Sequence, residues 1–123
     1  MGYFDEALET MPREALQAVQ LEKLQELLDV VCSRNRFYRA KFEAAGVDSS
    51  TITSVADLRA LPFTTKDELL QAQSTAYPLG ANATYPETEY TRIHQTSGTT
   101  GTPLRGLDTD ASWNRWGRCW GFV

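Results

Sequence analysis

The sequence predicts an α/β class, α+β within its own 123 residues: a mainly helical region over 1–89, then a strand–loop–strand–helix unit over 90–123. Three observations predict it. Leu21, Leu24, Leu28 and Val31 recur at helical spacing. Ser54 and Thr65 stand three places before Asp57 and Glu68, the spacing of a capping box. Tyr90 to Gln95 carries β-branched and aromatic residues in alternation and runs into a loop crowded with Gly, Ser and Thr.

Composition bounds the function. An apolar share of 41% and a charged share of 23% are those of an ordinary globular chain able to bury a core. The net charge of -4 and the lack of a Lys/Arg run exclude a nucleic-acid partner, whose phosphates need clustered cations. The start Met1-Gly2-Tyr3-Phe4-Asp5-Glu6 is acidic and no long apolar run follows, so neither a secretory leader nor a membrane span is expected. Glu6 stands where a myristoylation signal needs Ser or Thr. The expected setting is cytoplasmic, and Cys32 and Cys119, far apart in helical stretches, are expected to be free, buried thiols.

Pro12 suits the first turn of a helix reaching about Ser33, whose other face carries Glu22, Gln25, Glu26 and Asp29. After Ser33-Arg34-Asn35, a second helix is expected over Arg36 to Ala45, burying Tyr38, Phe42 and Ala45 and ended by Gly46. Two short helices follow from Ser54 and Thr65, separated by Leu61-Pro62-Phe63. Tyr77-Pro78-Leu79-Gly80-Ala81-Asn82 and Pro86 read as an irregular connection. Strands are expected over Tyr90–Gln95 and Leu104–Leu107. Asp108 or Thr109 then caps a helix whose Trp113, Trp116, Trp120 and Val123 form one apolar stripe, with the chain stopping inside it.

Between the two strands, Gln95 to Pro103 gathers two glycines and five hydroxyl residues. Such a loop lets backbone N–H groups and hydroxyls converge on an anion without obstruction by side chains, chemistry suited to phosphate oxygens. It is not a Walker loop, since Gly101 precedes Thr102-Pro103 instead of Lys and Ser or Thr. A hairpin whose Gly, Ser, Thr and Pro serve turn chemistry alone is the plainer alternative.

Thr96-Ser97-Gly98-Thr99-Thr100-Gly101-Thr102-Pro103 resembles the phosphate-loop signature of the adenylate-forming superfamily. Phe37-Tyr38-Arg39, Phe42, Ala45-Gly46-Val47, Leu61-Pro62-Phe63-Thr64-Thr65-Lys66 and Arg92-Ile93-His94 are similar, in order, to the N-terminal region of phenylacetate-coenzyme A ligases. The resemblance covers the chain from about Phe37 onward. It implies that residues 90–123 begin a larger adenylate-forming, AMP-binding domain continued downstream. It implies an ATP-dependent acid–coenzyme A ligase that makes an acyl-adenylate and then a thioester, from phenylacetate or another aromatic carboxylate. ATP, Mg2+ and coenzyme A are the implied cofactors.

Carried over residue by residue, Thr96, Ser97, Gly98, Thr99, Thr100, Gly101 and Thr102 would hold the ATP phosphates. The superfamily usually has Lys after the Pro; here Leu104 stands there, and Arg105 is either the substitute phosphate cation or a solvated strand residue. His94 either reaches the substrate pocket or, the favoured reading, packs with one ring nitrogen bonded to backbone. Lys66 reads as a solvated charge in a first helical turn. No catalytic residue and no metal ligand is assigned within the chain, and the 123-residue piece alone is expected to be inactive.

The tryptophan stripe reads as core before it reads as an aromatic pocket. Left uncovered, it would drive self-association or a homodimer. The alternative to the ligase is a non-enzymatic helical interaction module carrying a Gly/Thr-rich hairpin.

Overall fold

The computed structural model of the chain describes residues 2–76, 79–98 and 101–123. A short helix absent from the sequence expectations, α1 (Glu6–Glu9), comes first. Asp5 accepts from the Leu8 N–H, and the Glu9 carboxylate accepts from the N–H groups of Phe4 and Asp5 at 2.8 and 2.9 Å. Four residues are too few to show a periodicity, which is why the sequence pattern did not reveal it.

The long helix α2 (Arg13–Arg34) begins one residue after Pro12, which lies outside it as the N-cap. Asn35 ends α2 and caps α3 (Arg36–Ala45), its side-chain oxygen accepting from the Tyr38 N–H at 3.0 Å. Gly46 closes α3 at φ 67°, and the Val47 N–H turns back to the Phe42 carbonyl at 2.9 Å. This brings Val47 onto the same face as Phe42.

The core forms there. Leu28, Phe42, Val47 and Ile52 are buried, with Leu21, Leu24, Val31, Cys32, Tyr38 and Leu61 packed around them. Burial of each large side chain is worth about 1.5–3 kcal/mol, so this cluster is what holds α2 against α3. Ala45, expected inside, is exposed although it shares the Tyr38/Phe42 face; it is the last residue of α3, where the chain turns away at Gly46. Gln25, expected on the solvent face, reaches in to donate to the Ile52 carbonyl at 2.9 Å.

A 3-10 turn at Ser49–Thr51 and a 3-10 helix at Val55–Ala60 follow, each fixed by a capping box, from Asp48 and Ser54 respectively. The Ser54 signal thus marks a helix start, but of the tighter kind. The Thr65 capping box opens α4 (Lys66–Thr75) as expected. The ammonium of Lys41 on α3 pairs with Glu68, the acid of that box.

The two strands are β1 (Arg92–Gln95) and β2 (Arg105–Asp108), antiparallel, with Arg92 opposite Asp108 and Gln95 opposite Arg105. Each is displaced inward or onward from its expected span, because Tyr90 is not paired. Its phenol oxygen instead accepts the Thr84 and Tyr85 N–H groups at 2.8 and 2.9 Å.

The last helix, α5 (Asp110–Trp120), is capped by Thr109. It ends within the chain, contrary to the expectation that the chain stops inside it: Gly121 caps it through the Arg118 and Cys119 carbonyls. Val123 therefore leaves the stripe, and Phe122 folds back edge-on to Phe4 at 5.0 Å. Arg118 binds Asp5 at 2.8 Å, fastening the chain start to α5.

Trp113 is half-buried against the hairpin, whereas Trp116 and Trp120 are 53% and 63% exposed and pack edge-to-face on each other at 5.7 Å. The stripe is therefore not core within this chain. Cys119, expected buried, is exposed for the same reason. Cys32 is half-buried, and burial, aided by Asp48 and Asp29, pushes its thiol pKa up.

Candidate phosphate-binding site

The hairpin ladder continues one step past β1 and β2. Thr96 donates its N–H to the Leu104 carbonyl at 2.9 Å, and the Thr96 hydroxyl accepts from the Leu104 N–H at 3.0 Å. That pair closes a loop of residues 97–103. Ser97, Gly101 and Thr102 are exposed on it, Gly98 half-buried. Thr99 and Thr100, expected to hold phosphate, lie outside the described residues.

Gly98 sets the loop's shape. Its φ is +65°, and a Cβ there would come within 2.8 Å of both the Gly101 carbonyl oxygen and Pro103 Cγ. No other residue fits that position without moving backbone. Across this contact the Gly101 N–H donates to the Gly98 carbonyl at 2.9 Å, so that amide is committed inside the loop and not aimed at a ligand.

The exit side of the loop is held by α4. Gln73, 7% exposed, donates from Nε2 to the Pro103 carbonyl at 3.0 Å and accepts the Arg105 N–H on Oε1 at 2.8 Å. Gly80 packs on the Gln73 backbone, with the Ala81 N–H bonded to the Ala72 carbonyl at 2.9 Å. Sequence reasoning missed Gln73. The available signal was a polar residue at i+4 from Leu69 on the inward side of an amphipathic helix.

Arg105 lies beside a cleft of about 390 Å³ lined also by Leu69, Gln73, Gly80, Gln95 and Thr96. Its Nε contacts the Gln95 side-chain oxygen at 3.4 Å, across the strand pair. It is thus a cross-strand partner on the hairpin, next to the loop in sequence.

His94 packs, as the favoured reading expected, but with a different hydrogen-bonding partner, and it also lines the cleft beside Arg105. Its ring stacks on Trp113 at 5.1 Å and 16°, and Nε2 lies 3.2 Å from Asp108 Oδ2, a carboxylate and not a backbone group. Arg92, two residues earlier on the same strand face, lies 5.1 Å from the Trp113 ring and bonds Asp110 at 2.9 Å. The Arg92 guanidinium and the Thr91 hydroxyl hold the Asp110 carboxyl below the usual range. This face joins hairpin to α5.

Lys66 opens α4 as an exposed first-turn residue. Among the described residues, no group of three or more His, Cys, Asp and Glu side chains is placed to hold a metal ion. Nor is any helix among them long and apolar enough to cross a membrane.

Comparison with known proteins places this arrangement. The chain superposes on 2-hydroxyisobutyryl-CoA ligase, solved with 2-HIB-AMP and CoA in the thioesterification state, with a TM-score of 0.87 at 30% identity. That match covers 95% of this chain and 25% of that one. An open conformation of that ligase gives a TM-score of 0.85 at 28% identity. The fold is that of an α/β segment of the adenylate-forming acyl-CoA ligases.

In sequence, the chain is 44% identical over 96 residues to a phenylacetate-coenzyme A ligase of Thermus thermophilus, covering 78% of this chain and 20% of that protein. It is 35% identical over 113 residues to the Aromatoleum evansii enzyme of the same name, covering 87% and 24%. No family model matches the chain. The chain belongs to the phenylacetate-coenzyme A ligase family, spanning about a fifth to a quarter of the length of the curated relatives it matches.

Proposed function

We propose that this chain is the phosphate-loop segment of an ATP-dependent acid–coenzyme A ligase, one that activates phenylacetate or another aromatic carboxylate as its adenylate before transfer to coenzyme A. The observation that carries the reading is the loop of residues 97–103, closed by the Thr96/Leu104 pair and wedged at Gly98. Residues 1–89 are the helical lead-in and residues 90–123 the start of the AMP-binding domain. A cytoplasmic setting fits its small-molecule substrates.

In this reading Ser97, Thr99, Thr100 and Thr102 would hold the ATP phosphates through their hydroxyls and steady charge as pyrophosphate departs. Thr96 acts mainly on the loop, since its hydroxyl already accepts from Leu104, although its O–H proton remains available to an acceptor. Arg105 supplies positive charge from the hairpin beside the loop. His94 sits on the Trp113 face and shapes the hairpin from the other side.

Magnesium enters such sites with the phosphates and takes one or two protein carboxylates. Among the described residues no group of three or more His, Cys, Asp and Glu side chains is placed to hold such an ion. The 123 residues alone are inactive, because ATP, acid and thiol must be brought together by groups on several elements.

The test is acid-dependent exchange of pyrophosphate into ATP by the longer protein that carries this segment, with phenylacetate and a panel of aromatic and aliphatic acids. Exchange with an aromatic acid, and a raised ATP KM in Ser97→Ala and Gly98→Ala, is the expected result. No exchange with any acid, or variants indistinguishable from the parent, would overturn it and favour a helical interaction module.

A further inference from the structure

We propose that Gln73 is a positioning residue for the loop of residues 97–103, setting where its exit strand stands relative to α4; this rests on the phosphate-loop reading above. Gln73 touches none of the reacting groups in that reading. It acts through Pro103 and Arg105.

The geometry is specific to a primary amide. One end of the side chain donates to the Pro103 carbonyl at 3.0 Å, and the other accepts the Arg105 N–H at 2.8 Å. These two backbone groups lie on either side of Leu104, the residue that closes the loop with Thr96. A single buried amide thus grips the chain at the point where the loop ends and β2 starts, as a neighbouring strand would grip it. Neither a carboxylate nor an ammonium supplies a donor and an acceptor together.

The grip is rigid at its other end. Gly80, at φ +86°, lies so close that a Cβ there would come within 2.8 Å of Gln73 Cα. That contact fixes the Gln73 backbone on α4, whose start is in turn held by the Thr65/Glu68 capping box and the Lys41 ion pair. Pro103, which Gln73 grips, is the residue against which the Gly98 wedge is set. Movement at Pro103 therefore reaches Gly98 directly, and displacement of about an ångström at a site of this kind is enough for a large loss of rate.

The experiment uses the full-length ligase and measures KM for ATP, KM for the acid and kcat, in Gln73→Met and Gln73→Glu, with Gly98→Ala alongside. Gln73→Met keeps the volume and removes both hydrogen bonds. Gln73→Glu keeps the acceptor for Arg105 and sets a carboxylate against the Pro103 carbonyl. The expected result is an ATP KM raised about tenfold in both, the acid KM within about twofold of the parent.

Equal rises in both KM values would mark Gln73 as merely structural and overturn the proposal, as would unchanged constants. If Gly98→Ala also leaves the ATP KM unchanged, it is the phosphate-loop reading that fails. Should Gln73→Met not fold, the ATP-to-acid split in Gln73→Glu decides alone.

Discussion

Lys41 on α3 pairs with Glu68, the carboxylate that closes the capping box of α4. Two helices expected from separate sequence signals are thereby joined at the first turn of one of them. The Lys41 hydrogen bond, then the Thr65 N–H, lower the Glu68 pKa from its ordinary 4.5 to about 2.

A carboxyl with a lowered folded-state pKa binds fewer protons folded than unfolded. Its contribution is whole above the ordinary 4.5 and fades as pH falls toward 2. Asp48, Asp57 and Asp110 are lowered in the same direction. Resistance to denaturant should therefore decline across that acid window. In Lys41→Met the Glu68 pKa moves back toward its ordinary 4.5, so the decline across this window should be smaller, and superimposable pH profiles of the two proteins would refute this.

Gly80→Ala should destabilise by about 3 kcal/mol, because φ +86° disfavours a Cβ and the atom it meets, Gln73 Cα at 2.8 Å, is backbone that cannot swing aside. Urea titration of the two proteins measures it. A change under about 0.5 kcal/mol would mean that the α4 contact is not as close as described.

Asn35 is 1% exposed; it caps α3 and donates from Nδ2 toward the Asn82 carbonyl, the Asn82 side-chain oxygen and Thr84 Oγ1. Asn35→Ala should cost about 2 kcal/mol. Asn35→Asp, an equally good cap, should cost more, since a buried carboxylate would face those acceptors. A near-neutral Asp variant would show that the cap alone matters.

Trp116 and Trp120 leave an apolar face bare beside Phe122 and Val123. The 123-residue chain should therefore self-associate in sedimentation velocity, and Trp116→Glu with Trp120→Glu should return it to a monomer. A wild-type monomer at tens of micromolar would sink the idea.

Much of this protein could be read locally. The Leu21/Leu24/Leu28/Val31 face, the Gly46 stop, the Thr65 box and the two strands bracketing a Gly/Thr loop all depend on residues a few places apart, so the amino-acid order records them. The family, too, was legible in the run Thr96 to Pro103 and the blocks from Phe37 to His94, whose resemblance to phenylacetate-coenzyme A ligases the relatives bear out.

What the sequence determined by itself, then, was element type, capping and the location of the loop. Tertiary structure alone decided what holds that loop, Gln73 on Pro103 and Arg105 with Gly80 on Gln73, and what ties distant segments elsewhere, Asn35 on Asn82 and Thr84 and Arg118 on Asp5, a pair 113 positions apart. It also placed His94 on Trp113 and Asp108, and left Trp116 and Trp120 bare. A periodicity shows which face of an element is apolar, but a buried polar side chain finds its partner only once distant elements have packed, since burial is what makes that hydrogen bond obligatory.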